Sequence, residues 1–332
     1  MPSSKNSSKA FGEPREESSD PSRRARRMAN ASQVPETLRG PRMKEGKSSS
    51  TAWGVTLARV AHVRFDESPP IFDDSLAFEL VEPEIQPILE HYRPVRDPEK
   101  SALEEVRRAR AYLPLRQRYQ EECLMAAYER GVRQFVLLGA GLDAYAFRQP
   151  PDHSDLSIFE VDFPATQAKK RARIERLGWC EPANLFFSPC DFERDNLSQS
   201  LLRSGFDKRL PCYFTWMGVT VYLERETVRS TFSDLLAISA PGSSIAFEYA
   251  LPTEDLSGSD LLSRQFSLAQ KNREREPFVS QFRLEGIREL VTDIGWKRFE
   301  ALDHEETAAR ILAGRNDDLS IHMGFRLAEA FN

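Results

Sequence analysis

Apolar residues in this chain fall into short continuous runs separated by longer stretches with helical spacing. The run Phe135-Val136-Leu137-Leu138 is long enough for a strand buried on both faces. Comparable runs predict strands near Leu156–Val161, Leu185–Ser188, Tyr213–Met217, Ser244–Tyr249, Arg298–Leu302 and Ile321–Leu327. Between them the spacing predicts helices over roughly Pro164–Leu177, Leu197–Ser204, Glu224–Ser239 and Leu284–Ile294. Pro164 suits a first helical turn, where its missing N–H would have no partner anyway. Alternation of this kind is the mark of an α/β domain with a largely parallel sheet.

Upstream of the first strand the pattern is helical. Val55, Leu57, Ala58, Val60, Ala61 and Val63 recur at amphipathic spacing from Thr51, before Ser-Pro-Pro and the Asp73-Asp74 pair. A longer helix is expected from Ser101 to Arg130, interrupted near Pro114, with Leu115, Tyr119, Leu124 and Ala127 on its apolar face. Residues 251–282 are polar and charged with Phe266, Leu268 and Phe278 interspersed, which predicts an inserted helical cover above the sheet.

Composition divides the chain. Residues 1–48 are rich in Ser, Pro, Arg and Glu and almost devoid of aromatic and β-branched side chains, so they cannot bury enough apolar surface to offset ordering entropy. A disordered basic tail over 1–48 and a folded domain over 49–332 are expected. The Arg23-Arg24-Ala25-Arg26-Arg27 cluster reads as a solvated charge run in preference to a nucleic-acid tail or a targeting signal. Organised sequence begins only after Met43, so a translation start at Met28 or Met43 is an alternative.

The whole chain has 332 residues, 40% of them hydrophobic, and a net charge of −5, which argues against a general nucleic-acid-binding surface. It has no apolar run near the roughly 20 residues needed to cross a bilayer and no signal-peptide core. A cytoplasmic protein without a membrane partner is expected. Cys123, Cys180, Cys190 and Cys212 show no disulfide or zinc spacing. Oligomeric state is not legible.

The candidate chemistry gathers where strands end. Gly139-Ala140-Gly141 follows the first strand, lets the backbone turn sharply and opens main-chain N–H groups to a ligand, with Asp143 just beyond. The third glycine of a dinucleotide fingerprint is replaced by Ala144. The second strand ends in Glu160-Val161-Asp162, whose two carboxylates share a face. Asp162 stands about 20 residues past Gly139, the interval expected of a ribose-binding carboxylate. Its other reading is an N-cap for the helix at Pro164. After the third strand, Asp191 and Phe192 offer an acceptor for an adenine amino group and an apolar face for its ring, or else a turn residue and a core residue.

Together, LLGAGLDAYAFR, FEVDFP, CDFE, GFD and WMGVTVYL, with STAWGVTLARVAHVRFD and FDDSLA upstream, resemble the leucine carboxyl methyltransferase family of class I S-adenosylmethionine (SAM)-dependent methyltransferases, including its bacterial O-methyltransferase branch. The resemblance spans about Ser49 to Leu327, with the motifs in the family's order. It implies a Rossmann-like, mostly parallel seven-stranded sheet with an N-terminal helical layer. It implies SAM contacts from Gly139, Gly141 and Asp143 in the turn, from Asp162 at the ribose and from Asp191 and Phe192 at the adenine. An arginine near the SAM carboxylate would be Arg116, with Arg118 second; a surface ion pair is the competing reading. Where the phosphatase-methylating members carry a glutamate, this chain has Met217 before Gly218, so the cofactor's amine there needs another acceptor. Tyr222 would help shape the acceptor pocket, or would be a core tyrosine.

A sulfonium methyl is already activated, so such an enzyme has chiefly to align an acceptor and exclude water. A carboxylate acceptor needs no base. A hydroxyl acceptor does, and His62, His91, His153, His304 and His322 are scattered without singling one out. The expectation is O-methylation of a small molecule or a protein-terminal carboxylate, with a small-molecule acceptor preferred. The alternatives are a SAM- or nucleotide-binding sensor, a partner-binding protein without activity, and an NAD-dependent oxidoreductase.

Overall fold

A computed structural model describes residues 50–93, 109–192, 194–274 and 278–332. The basic tail and the start of the helix expected from Ser101 lie outside these residues. Seven strands form one sheet: β1 Gln134–Leu138, β2 Ser157–Asp162, β3 Leu185–Pro189, β4 Tyr213–Trp216, β5 Ser244–Ala250, β6 Arg298–Ala301 and β7 Phe325–Phe331. Their order is β3-β2-β1-β4-β5-β7-β6. β1 to β5 run parallel, and β7 enters antiparallel between β5 and β6. The order reverses beside β1, which leaves a crevice at the carboxyl ends of β1 and β4, the usual ligand position in such sheets.

Every residue of β1, β4 and β5 is buried, as expected of strands covered on both faces. The principal helices are α1 Ser50–Phe65, α2 Tyr112–Glu129, α3 Pro164–Leu177, α4 Leu197–Arg203, α5 Arg225–Ala237, α6 Gly258–Glu274, α7 Leu284–Ile294 and α8 His304–Ile311. On one face Leu201 of α4, Phe232 of α5 and Val291 of α7 pack on Val136, Phe214 and Phe247. On the other, Leu124 and Ala127 of α2 pack on Phe135, Leu137, Tyr213 and Ala246. The N-terminal layer is held by charge as well as by its own apolar cluster of Leu57, Val60 and Val81. Arg59 of α1 bonds buried Asp74 at 2.6 Å, Arg148 approaches Asp74 at 3.6 Å, and Arg148 also pairs with Glu121 of α2. Asp74 is thus a buried joint, while Asp73 beside it is exposed and bonds Ser75.

The structure corrects several boundaries. β7 starts at Phe325 instead of Ile321, because Gly324 is left-handed at φ +75° and breaks the extended run before the pairing with β5 begins. β4 stops at Trp216, leaving Met217 just past the strand. Pro114 does not interrupt α2 but occupies its first turn, which begins at Tyr112. α8 has no counterpart in the sequence expectations. Its N-cap Asp303 accepts the Glu306 N–H at 2.9 Å, a capping signal that is plain in Asp-His-Glu-Glu once the helix is known. The expected cover at 251–282 contains α6.

Candidate functional site

The glycine turn is shaped by two tight demands at Gly139. Its φ is +75°, and a Cβ there would lie 2.4 Å from Val219 Cγ2. Val219 belongs to the loop after β4, so the absence of a side chain at 139 lets the β1 and β4 loops touch. The turn's N–H groups are less open to a ligand than the sequence suggests. Gly139 and Ala140 both donate to the Val161 carbonyl, at 2.8 and 3.1 Å. Gly141 donates to Asp162 Oδ2 at 2.5 Å.

Asp162 therefore clamps the turn from the end of β2. Its Oδ1 accepts the Phe163 N–H at 2.6 Å. It is not the N-cap of α3, a position held by Phe163 without a side-chain bond. Burial pushes the Asp162 carboxyl above its ordinary pKa, and the two amide donors oppose that shift. Each carboxylate oxygen keeps a further lone pair, which is what a ribose diol requires.

Asp143 is placed differently. It is buried and accepts Gln117 Nε2 at 2.7 Å, Gln120 Nε2 at 3.2 Å and the Tyr145 N–H at 2.7 Å. Burial acts to raise its pKa, but Arg148, Lys170 and these donors outweigh burial and hold the carboxyl below its ordinary value. Its side chain is committed to anchoring the turn on α2. Lys170 of α3, 1% exposed, bonds Glu160 at 2.6 Å and the Asp143 carbonyl at 2.5 Å. Burial lifts Glu160 to about 7 against the pull of Lys170.

Arg116 lies across the crevice. Its Nη1 donates to Glu248 Oε2 of β5 at 2.8 Å, with side chains 11% and 4% exposed, so this is not a surface pair. A Cβ at Gly218 would lie 2.8 Å from the same nitrogen, so that glycine makes room for the guanidinium. Arg118 points elsewhere, 38% exposed and paired with Glu122. Met217 packs between the α2 face and the cluster around Tyr112 and Phe325.

At the far end of the crevice, Asp191 and Phe192 follow β3 after the single residue Cys190. Asp191 lies 3.8 Å from Arg194 and its N–H bonds Asp195. The Phe192 ring is 6.5 Å from that of Trp216. Toward β5 and β7 aromatic rings form a packed cluster, with Tyr112 and Phe325 buried. Tyr222 meets Phe278 edge-on at 5.8 Å, Phe278 meets Phe325 at 5.8 Å, and Tyr112 stacks between Phe325 and His304 at 6.1 and 6.0 Å. Behind the rings, fully buried Arg264 of α6 lies 5.2 and 5.1 Å from the Phe278 and Phe325 centroids and bonds the Leu251 and Gly324 carbonyls.

The crevice thus brings the glycine turn, Asp162, Asp191, Phe192, Met217 and Arg116 to the carboxyl ends of β1 to β4, with Tyr222 on the next wall. A carboxylate beside a tight turn, an apolar ring beyond it and a buried cation opposite fit a ligand with a ribose, a base and an amino-acid end, which is the chemistry of SAM. A sheet in this order with β7 alone reversed among β1 to β5 and β7, carrying that donor set, defines a class I SAM-dependent methyltransferase.

The sequence comparisons agree. The model of the family "Leucine carboxyl methyltransferase" matches residues 52–236, and the chain belongs to that family. It is 32% identical over 293 residues to "Putative S-adenosyl-L-methionine-dependent methyltransferase YktD" of Bacillus subtilis, covering 84% of this chain and 96% of that one. A Mycolicibacterium gilvum protein with the same description is 35% identical over 44% of this chain and 47% of its own. A crystal structure titled as a putative methyltransferase from Thermobifida fusca shares the fold, with TM-score 0.52, 16% identity and coverage of 91% of this chain and 99% of that one. SAM is the cofactor of this protein.

Sequence reasoning overlooked Glu248, Lys170, Gln117, Gln120 and Arg264, and did not single His304 out from the other histidines. Glu248 had a visible signal, a carboxylate inside the otherwise apolar Ser244–Ala250 strand. Lys170 had none, because α3 carries basic residues at many positions.

Proposed function

We propose that this methyltransferase moves the methyl group of SAM to an oxygen, carboxylate or hydroxyl, of a small flat acceptor rather than of a nucleic acid or a membrane lipid. The observation that carries the reading is the aromatic wall of Tyr112, Tyr222, Phe278 and Phe325 beside Met217. The Arg264 guanidinium behind the rings places a positive charge at this cluster, which suits an anionic or neutral oxygen better than a protonated amine. Methylation of a carboxyl oxygen in the family's description supports the same reading.

When bound, SAM supplies a methyl group already activated on sulfur. The chain then has to orient and exclude water. Asp162 and Arg116 grip opposite ends of the cofactor, while Tyr222 and its neighbouring rings hold the acceptor in a dry setting. A carboxylate acceptor would require no proton transfer.

Incubation with methyl-tritiated SAM and a set of aromatic acids and phenols tests this. Alkali-labile label marks a methyl ester and alkali-stable label on a phenol marks an ether; both support transfer to oxygen. Label found only on nitrogen or carbon would overturn the oxygen assignment. SAM binding without any labelled product would favour a sensor.

A further inference from the structure

The row of residues at the carboxyl edge of the sheet facing α2 can be read from the strand register. Leu138, Trp216 and Phe247 are lateral partners, so the next row is Gly139, Met217 and Glu248. Leu137, Thr215 and Ala246 lie one row back on the same face, which is the face that α2 covers. Arg116 descends from α2 onto this row, lodged over Gly218 and paired with Glu248.

We propose that Glu248 accepts the α-ammonium of SAM while Arg116 takes its α-carboxylate, so that the pair recognises the cofactor's amino-acid end. This rests on the SAM-methyltransferase reading of the crevice. Met217 offers no charge in the row, and Glu248 supplies one a strand further on. A buried arginine and carboxylate that served only each other would favour a two-pronged contact. Here a single nitrogen meets a single oxygen, with the Tyr112 hydroxyl as a further neighbour of Glu248, so the guanidinium keeps N–H groups for a carboxylate and the Glu248 carboxylate keeps lone pairs for an ammonium. The Glu248 backbone is fixed by Thr220 Oγ1, which donates to its carbonyl at 2.7 Å. The neighbouring Tyr112 phenol is held protonated by burial and by the negative charge of Glu248, so it adds no competing anion.

Calorimetric titration of Glu248→Gln with SAM, S-adenosylhomocysteine and 5′-methylthioadenosine tests the assignment, because the last ligand lacks the amino-acid end. The expected result is a loss of about 10- to 100-fold for the first two ligands and less than about twofold for the third. Arg116→Lys, which keeps charge but loses the fork, should show the same pattern and serves if Glu248→Gln does not fold. Adding Met217→Glu to Glu248→Gln returns a carboxylate to the same row and is expected to recover SAM affinity. Unchanged SAM affinity in Glu248→Gln, or an equal loss for all three ligands, overturns the assignment while leaving the cofactor intact. Failure of the unmodified chain to bind SAM would overturn both.

Discussion

The two ends of the crevice are built from different forces. At the β1–β2 end polar groups interlock: Asp162 holds two amides, Asp143 holds three donors, and Lys170 ties Glu160 to the Asp143 carbonyl. At the β5–β7 end aromatic rings meet at 5.8 to 6.1 Å, and both ring nitrogens of His304 and the Nε of Arg264 have no hydrogen-bond partner among the described residues. A directional network fixes the position of one constant ligand. A wall of rings sets shape and polarity while leaving identity open. That contrast matches the proposal that a cofactor site and an acceptor site share one crevice.

The comparison is broken most forcefully at the polar end. Lys170→Met leaves Glu160 buried without its partner, and a loss of about 3–5 kcal/mol is expected in denaturant unfolding. Replacing both residues with Lys170→Met and Glu160→Leu should recover most of it, and a double variant as unstable as the single one would show that the pair does more than balance charge. Asp162→Ala should leave the fold intact and weaken SAM binding roughly 100-fold, since a charged hydrogen-bonding group is lost at both the turn and the ribose. Unchanged affinity by calorimetry would remove Asp162 from the site.

The aromatic end predicts a gentler, pH-dependent effect. Burial, helped by Arg326 and His322, lowers the His304 pKa from 6.5 to about 3, although Asp260 and Asp303 act to raise it. The unfolded chain therefore takes up a proton that the folded chain refuses as pH falls below 6.5, and stability drops. The deficit should reach about 2 kcal/mol near about pH 5. His304→Leu should flatten that part of the acid limb in thermal melts, and SAM affinity at neutral pH should be unaltered. An unchanged slope would mean that His304 titrates normally.

The same contrast governs what could be read in advance. The strand runs and the glycine turn were legible because strands covered on both faces demand continuous apolar residues and a left-handed turn demands glycine. The role of Asp143 in anchoring the turn on α2 was not, since Gln117 and Gln120 meet it only after α2 docks. Glu248 was visible as an oddity in an apolar strand, but its partner sits 132 positions away. The α6 cover could be anticipated as a helix, whereas Arg264 behind the rings could not be told from a solvent-facing arginine. No helix among the described residues is long and apolar enough to cross a membrane.

The two glycines of the turn also differ in evolutionary freedom. At Gly141, φ is +54° and an added Cβ would meet the Ala52 methyl at 3.5 Å and the Gly139 carbonyl at 3.9 Å, both ordinary contacts, so asparagine is an accessible replacement. At Gly139 a substitution must overcome both the backbone angle and the Val219 side chain. Shrinking Val219 would relieve only the second, so no single compensating change rescues the position. Drift through this turn is thus open on one side and closed on the other.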